Sequence, residues 1–351
     1  MLLLPVGVLF VGLLLPAHHR CNGLALPLYH RRDVLVAGTA AASVFAPSFQ
    51  ASSAELQPAS GKISGKTVPL TVGLGTCLVR AEDAGRMVSL GIDAGYRVFD
   101  TAQRYANEAG VGKGVQRQID AGKVTRDEVF ISTKVWVDNM GSGKCARSVE
   151  ESAKALGLDY IDQVLIHWPG EFQRAGGAYD ATNRALRAGT WNDLEALQQR
   201  GLVKKIGVSN FSERHLRELL GYANVKPSVD QFEVHPYNQR PALVSLCREN
   251  DIRVMSYCPL GGKGNKGQVT DVLLKDNAIK AIAAAHGKTN AQVILRWHLQ
   301  RGLTPLPKSS SKAHAVENFD VFDFELADAE MQTIAGLDRG QFALFDADAL
   351  A

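Results

Sequence analysis

The sequence predicts a single α/β barrel of the (β/α)8 or TIM type, preceded by an N-terminal targeting segment that is disordered or cleaved. From Gly65 onward, short β-branched runs alternate with amphipathic helical stretches, and eight such units follow over about 280 residues. A length of 351 residues fits one such barrel. An open doubly wound sheet is the alternative. It usually has fewer units, and no Gly-x-Gly-x-x-Gly pattern opens a helix after a strand.

Each unit pairs one predicted strand with helical sequence. The predicted strands are Thr71–Gly75, Val98–Thr101, Val129–Lys134, Gln163–His167, Ile206–Ser209, Val229–Phe232, Arg253–Tyr257 and Thr304–Pro307. The predicted helices are Ala81–Gly95, Asn107–Ala121, Cys145–Leu156, Thr190–Arg200, Ser212–Gly221, Arg240–Asn250, Asp276–His286, Asn290–Gln300, Ala313–Phe319 and Ala327–Gly336. Residues 61–345 are therefore predicted to form the barrel.

The composition of the chain indicates which classes of partner this barrel is not expected to bind. A hydrophobic fraction of 46% with 21% charged residues is typical of a globular protein. The 39 basic and 36 acidic residues give a net charge of +3 without a long run of either sign, which argues against nucleic-acid binding. The five cysteines include no Cys-x-x-Cys pair, so we expect free thiols and no metal site. No heptad run indicates assembly, and we expect a monomer.

Residues 1–60 are interpreted as a targeting presequence and linker. The apolar run Leu2–Pro16 is too short to span a membrane and resembles the core of a signal peptide, although no basic residue precedes it. Arg31 and Arg32 precede a second, mildly apolar run, as in twin-arginine export signals. Two successive signals predict targeting to a complex plastid or its thylakoid lumen. A single secretory signal followed by a disordered linker is the alternative. The barrel itself is not expected to bind a membrane.

Four ionisable residues fall at or just after the carboxyl ends of successive predicted strands, the face on which barrel enzymes build their active sites. These are Asp100, Tyr105, Lys134 and His167. A buried Asp–Lys pair is tolerable, and the lysine charge would favour the ionised form of a nearby tyrosine, making Tyr105 a usable general acid. His167 can donate to a carbonyl oxygen. Taken singly, each residue also has a structural interpretation: a turn cap, a core aromatic, a solvated lysine or a core histidine.

Several motifs follow one another in register with a known family. The segments are Gly95–Ala102 followed by Tyr105 and Glu108, Ser132–Trp136, Leu165–Pro169, Gly207–Phe211, Gln231–Tyr237 and Leu306–Ser309. Over about Gly65 to Gly340 the chain closely resembles the aldo-keto reductases. The resemblance implies a (β/α)8 barrel, an NADPH cofactor and reduction of aldehydes or ketones, with Tyr105 as the acid and Asp100, Lys134 and His167 around it.

The resemblance also implies which residues bind the cofactor. Ser209, Asn210 and Gln231 would bind the nicotinamide carboxamide, and Tyr257 would stack on the ring. Lys308 and Ser309 before a helix suit a phosphate group, although a capped helix beside a solvated lysine is the alternative. The full set of implied cofactor residues is Thr76, Asp100, Ser209, Asn210, Gln231, Tyr257, Pro259, Leu260, Lys308, Ser309, His314, Glu317 and Asn318.

Two positions depart from the family pattern. Where the family typically places an arginine against the adenosine 2′-phosphate, this chain has His314, which weakens the NADPH expectation and leaves NADH open. Cys77 stands where a tryptophan often lines the pocket. With His167, Trp136 and Trp168 it would line the substrate pocket. Because the family also includes channel partners, a nicotinamide-sensing regulatory subunit of a membrane protein with little turnover is the alternative function.

Overall fold

The structure is a computed structural model that describes residues 60–63, 66–69, 72–170, 181–262, 268–309 and 311–344, with only the backbone described for the first two ranges. The predicted targeting segment lies outside these residues, apart from its last residue, and stays a prediction. In the part of the chain described, no helix is long and apolar enough to cross a membrane.

The residues that the structure describes form ten strands in two sheets. Strands β1 (Ser60–Ile63) and β2 (Lys66–Pro69) pair as an antiparallel hairpin that the sequence did not predict. The other eight strands follow one another in order in one parallel sheet. They are β3 (Leu74–Gly75), β4 (Val98–Asp100), β5 (Phe130–Val135), β6 (Ile161–Ile166), β7 (Val203–Ser209), β8 (Val229–Glu233), β9 (Arg253–Tyr257) and β10 (Thr304–Pro305).

Backbone hydrogen bonds join the first and last strands of this sheet. The N–H of Gly73 donates to the carbonyl of Pro305 at 3.0 Å, and the N–H of Gly75 donates to Pro307 at 3.1 Å. A side chain at Gly73 would meet Leu306, with a Cβ only 2.6 Å from its Cδ2, so the glycine permits the approach. The predicted (β/α)8 barrel is confirmed.

Eleven helices are found in the described residues. They are α1 (Ala81–Asp93), α2 (Glu108–Asp120), α3 (Lys144–Leu156), α4 (Ala181–Gln199), α5 (Glu213–Leu220), α6 (Pro241–Glu249), α7 (Gln268–Leu273), α8 (Asn277–His286), α9 (Asn290–Gln300), α10 (Lys312–Phe319) and α11 (Asp328–Ala335). Most predicted helices agree within two residues, whereas α7 was missed.

Helix α4 begins nine residues before the predicted start at Thr190. Its first half buries polar side chains, which hid the apolar periodicity of a helix. Arg187 is fully buried and makes a two-pronged ion pair with Glu218 of α5, with nitrogen–oxygen distances of 3.1 and 3.0 Å. Arg187 also donates to the carbonyl of Pro169 at 2.8 Å. The helix therefore holds the loop that follows β6.

The barrel is a packed core and not a pore. Strands β5 and β6 are buried along their whole length, as expected for parallel strands covered on both faces. Six apolar side chains from different strand positions form a cluster separate from the main core. They are Val98, Phe130, Leu165, Val229, Met255 and Leu306. Such layers of side chains fill the interior of a barrel. Active sites of barrel enzymes therefore lie at the carboxyl ends of the strands.

Candidate active site

Consecutive strand ends bring the four predicted catalytic residues together. Asp100 is the last residue of β4, Tyr105 ends the short 3-10 turn that follows, and Lys134 is the penultimate residue of β5. His167 follows β6 directly, and its N–H still donates to the carbonyl of Val135 at 3.1 Å. The sheet register therefore places all four at one edge of the barrel.

Lys134 lies at the centre of this cluster. Its ammonium donates to Asp100 Oδ2 at 2.5 Å and to the carbonyl of Thr101 at 3.0 Å. A third contact reaches the Tyr105 hydroxyl at 3.4 Å. The lysine is 1% exposed and Asp100 is 4% exposed, so the ion pair is buried. A buried charge needs such a partner, because desolvation otherwise disfavours it.

The pKa of Tyr105 differs from the sequence expectation. Burial raises it well above the usual range, and the neighbouring Cys77 and Asp100 raise it further. The positive charge of Lys134 was expected to lower this pKa. Asp100 neutralises that charge at 2.5 Å, and desolvation of the phenol therefore decides the direction. Tyr105 is a neutral phenol at physiological pH.

His167 is also held in its neutral form. Burial lowers its pKa well below the usual range, and the positive charges of Lys134 and Arg104 lower it further. Within the described part of the chain, its Nδ1 is buried without a hydrogen-bond partner. A neutral imidazole carries one N–H, so His167 can present a single donor to a bound oxygen.

Aromatic rings surround this imidazole. The ring of Tyr105 meets it edge-on with centroids 5.7 Å apart, and Trp136 does the same at 5.2 Å. Trp168 lies nearly parallel to it at 6.5 Å. Both tryptophans are half-buried. The residues predicted to line a substrate pocket are thus gathered around His167, and the exposed Cys77 interacts with the Tyr105 hydroxyl.

The predicted nicotinamide residues form one hydrogen-bonded chain. The Asn210 amide donates to the carbonyl of His167 at 2.9 Å, and its oxygen accepts from the Tyr257 hydroxyl at 2.7 Å. Ser209 donates to the carbonyl of Gln231 at 2.8 Å. Asn210 adopts a left-handed φ of 61°, which asparagine tolerates better than most residues. This conformation joins the ends of β7, β8 and β9.

The other predicted nicotinamide-side residues lie on adjoining strand ends. Thr76 is fully buried and donates its hydroxyl to the carbonyl of Asp100 at 2.9 Å. Pro259 is buried and Leu260 half-buried, directly after β9. Cys258 adopts a φ of 48° between them and Tyr257, and its thiol is free, like those of Cys77, Cys145 and Cys247.

The predicted phosphate and adenine residues lie around the start of α10. Lys308 and His314 are exposed, whereas Ser309 is buried and accepts a hydrogen bond from the N–H of Ser311 at 3.1 Å. Glu317 accepts from Thr289 at 2.7 Å, and Asn318 is 4% exposed. Two exposed basic side chains therefore flank a helix N-terminus, which carries a partial positive charge.

Sequence reasoning missed Gln103, two residues before Tyr105. Its side-chain oxygen accepts from the N–H of Trp136 and from the Asn139 amide, both at 2.9 Å. Its own amide donates to the Ser148 carbonyl and the Ser152 hydroxyl, both at 3.2 Å. The side chain of Gln103 thereby makes four hydrogen bonds. They fix the turn that ends at Tyr105 against the segment from Trp136 to Asn139. No local pattern reveals such a role.

Glu233 was also missed. This carboxylate is 2% exposed at the end of β8, and it accepts backbone N–H groups of Ala343 and Leu344 at 2.5 and 3.0 Å. His235 contacts it at 3.0 Å. The segment after α11 is therefore tied to the same face of the barrel as the site.

The chain is similar to known proteins over most of its length. The chain matches the Aldo/keto reductase family over residues 71–339. It is 39% identical over 269 residues to the 9,11-endoperoxide prostaglandin H2 reductase of Trypanosoma cruzi (strain CL Brener), covering 76% of this chain and 87% of that protein. It is 37% identical over 295 residues to the NAD(P)H-dependent D-xylose reductase of Scheffersomyces stipitis, covering 78% and 92%.

Solved structures have the same fold. The crystal structure of a Bombyx mori aldo-keto reductase in complex with NADP superposes with a TM-score of 0.73 at 34% identity, covering 81% of this chain and 94% of that one. The fold is a (β/α)8 barrel, and the family that the chain matches consists of oxidoreductases. This chain belongs to the aldo/keto reductase family.

Proposed function

We propose that this protein reduces aldehydes or ketones to alcohols with NADPH, and that Tyr105 is the general acid. The observation that carries the proposal is the contact of one buried ammonium, Lys134 Nζ, with both Asp100 and the Tyr105 hydroxyl, at 2.5 and 3.4 Å. This arrangement provides a proton donor with a cation beside it. The family membership supports carbonyl reduction in general terms.

The residues present suit a nicotinamide cofactor. Ser209, Asn210 and Gln231 supply a hydroxyl and two amides, the groups that pair with a carboxamide. The half-buried ring of Tyr257 adds an aromatic face beside them. Tyr257 and Asn210 are already joined at 2.7 Å, so the chain presents this set in a fixed arrangement. When bound, the reduced nicotinamide would supply the hydride that the carbonyl carbon receives.

Tyr105 would protonate the carbonyl oxygen of the substrate, and His167 would orient it. The raised pKa of Tyr105 keeps its proton available at neutral pH, and proton transfer leaves a phenolate. Lys134, 3.4 Å from that oxygen, would stabilise the phenolate by its charge. The lowered pKa of His167 leaves it without a proton to give up as an acid, so it would orient the carbonyl through its remaining N–H.

Cofactor preference rests on a different group of residues. Lys308 and His314 are exposed near the N-terminus of α10 and would face the 2′-phosphate that distinguishes NADPH from NADH. Lysine provides a point charge there, whereas histidine lacks the two-pronged donor geometry of arginine. We therefore propose NADPH as the better substrate, with measurable use of NADH.

The experiment is steady-state oxidation of NADPH and NADH by the full-length protein with a panel of aromatic and aliphatic aldehydes and ketones. We expect turnover of several aldehydes and a lower KM for NADPH than for NADH. Absence of turnover with every carbonyl would contradict the proposal. If NADPH still bound tightly in that case, a nicotinamide-sensing regulatory role would become the better account.

A further inference from the structure

An arginine stands immediately before the proposed acid. Arg104 is the middle residue of the 3-10 turn from Gln103 to Tyr105, and it is exposed. The four hydrogen bonds of Gln103 fix the backbone of this turn at its first residue. The start of the Arg104 side chain is therefore held close to the site, while its guanidinium is open to solvent.

The guanidinium lies above one wall of the site. Its carbon is 5.3 Å from the centre of the Trp136 ring, and that ring is 5.2 Å from the ring of His167. Stacking on an aromatic face restrains a guanidinium without using its hydrogen-bond donors. The Trp136 ring is therefore a common neighbour of the Arg104 guanidinium and of the imidazole that would meet the carbonyl oxygen. The charge of Arg104 also contributes to the lowered pKa of His167.

Several buried or half-buried cations of the protein have a carboxylate partner. Lys134, Arg126 and Arg187 are paired with Asp100, Asp162 and Glu218. Within the described ranges, no carboxylate lies within ion-pair distance of Arg104. Its donors are accordingly available to a ligand.

We propose that Arg104 binds a carboxylate at the far end of the substrate, so that the enzyme prefers aldehydes and ketones that also carry a carboxylate group. The proposal rests on the proposed function and deepens it. A single guanidinium with parallel N–H groups matches a carboxylate in a two-pronged contact. Because Arg104 and His167 both neighbour the Trp136 ring, an aromatic aldehyde that also carries a carboxylate is a suitable probe.

The test compares two aldehydes of nearly the same shape with the full-length protein and saturating NADPH. They are 4-carboxybenzaldehyde, which is anionic, and methyl 4-formylbenzoate, its neutral ester. In the wild type we expect kcat/KM for the acid to exceed that for the ester by about tenfold, through KM, as one charge-assisted contact would give. The preference should fall as the salt concentration rises.

Two variants isolate the arginine. Arg104→Gln should bring the acid-to-ester ratio close to one and leave turnover of the ester within about twofold, while Arg104→Lys should keep part of the preference. Turnover of the ester also reports that the variant is folded. The control is Arg117→Gln, which removes the same charge from an exposed position in the last turn of α2 and should leave the ratio unchanged.

The outcomes separate the two proposals. If neither aldehyde is turned over by the wild type, nor any other carbonyl, the proposed function fails and this inference fails with it. If the ester is turned over but the acid-to-ester ratio is the same in the wild type and in Arg104→Gln, the inference alone is overturned. A ratio that falls equally in Arg117→Gln would also overturn it, because the effect would then come from net charge.

Discussion

The side-chain amide of Gln231 donates to Asp100 Oδ1 at 2.8 Å, across 131 positions of the sequence. Gln231 belongs to the proposed nicotinamide set and Asp100 to the proposed catalytic set. The carboxylate thus has both oxygens engaged, since Oδ2 accepts from Lys134. We therefore expect that cofactor binding and the orientation of the lysine are coupled through this single buried carboxylate.

Replacing Gln231 with methionine tests this link. Methionine has a similar length but donates no hydrogen bond, so Oδ1 would be buried without a donor. We expect the free energy of unfolding to fall by about 1–3 kcal/mol, measured by chemical denaturation. NADPH should also bind more weakly in a fluorescence titration. An unchanged stability together with an unchanged affinity would show that the link is dispensable.

Removing the ammonium at Lys134 should separate stability from activity. Lys134→Met leaves the Asp100 carboxylate buried and unpaired, which should lower the free energy of unfolding by about 3–5 kcal/mol. The double variant with Asp100→Asn removes that charge and should recover most of the loss. We expect both the single and the double variant to lack turnover, because the phenolate of Tyr105 would have no cation beside it. Recovery of turnover in the double variant would refute the role assigned to the lysine.

Stability at mildly acidic pH should depend on His298 of α9. This fully buried imidazole contacts the carbonyls of Ile294 and Val234, and burial lowers its pKa to about 4. The unfolded chain protonates near its ordinary value of about 6.5, so between these values the unfolded state binds more protons. His298 therefore costs stability as pH falls from about 6.5 to 4, by up to about 3 kcal/mol.

Unfolding of the wild type and of His298→Gln, measured across this pH range, checks the effect. The difference between the two curves should narrow towards low pH, because only the wild type carries the buried imidazole. The other titrating groups cancel in the difference. Parallel curves for His298→Gln would contradict the assignment.

Cofactor preference should respond to His314. In His314→Arg a permanent guanidinium replaces the exposed imidazole, and we expect KM for NADPH to fall by about tenfold. KM for NADH should change little, because NADH has no 2′-phosphate. Steady-state kinetics with both cofactors and one aldehyde measure the two values. Equal changes for the two cofactors would indicate that His314 does not face the 2′-phosphate.

The parts of the molecule that depend on local periodicity could be predicted from sequence. Asp100 and Lys134 were assigned to strand ends because short apolar runs mark parallel strands, and parallel strands bring their carboxyl ends to one edge. Contacts between distant segments have no such signature. Only the structure therefore shows the ion pair of Arg187 with Glu218. The same is true of the hydrogen bonds that Glu233 accepts from the backbone of the segment after α11.

The direction of the pKa change at Tyr105 also could not be predicted from the sequence. The sequence indicates that a lysine lies near Tyr105, but the sign of the change in its pKa depends on burial and on the distances to Asp100 and Cys77. Those distances are fixed by the register of β4 and β5 and by the first loop of the barrel. For the same reason the sequence does not distinguish Arg104 from other exposed arginines in loops, which are usually solvated.

Tyr105 as the proton donor is the central element of the proposed mechanism. Single-turnover and steady-state reduction of an aldehyde should be compared for the wild type and Tyr105→Phe, with NADPH affinity measured in parallel. We predict that kcat falls by about 10²–10⁴-fold, the usual contribution of a positioned general acid, while NADPH affinity changes by less than about threefold. A Tyr105→Phe protein that reduces aldehydes at the wild-type rate would contradict the account.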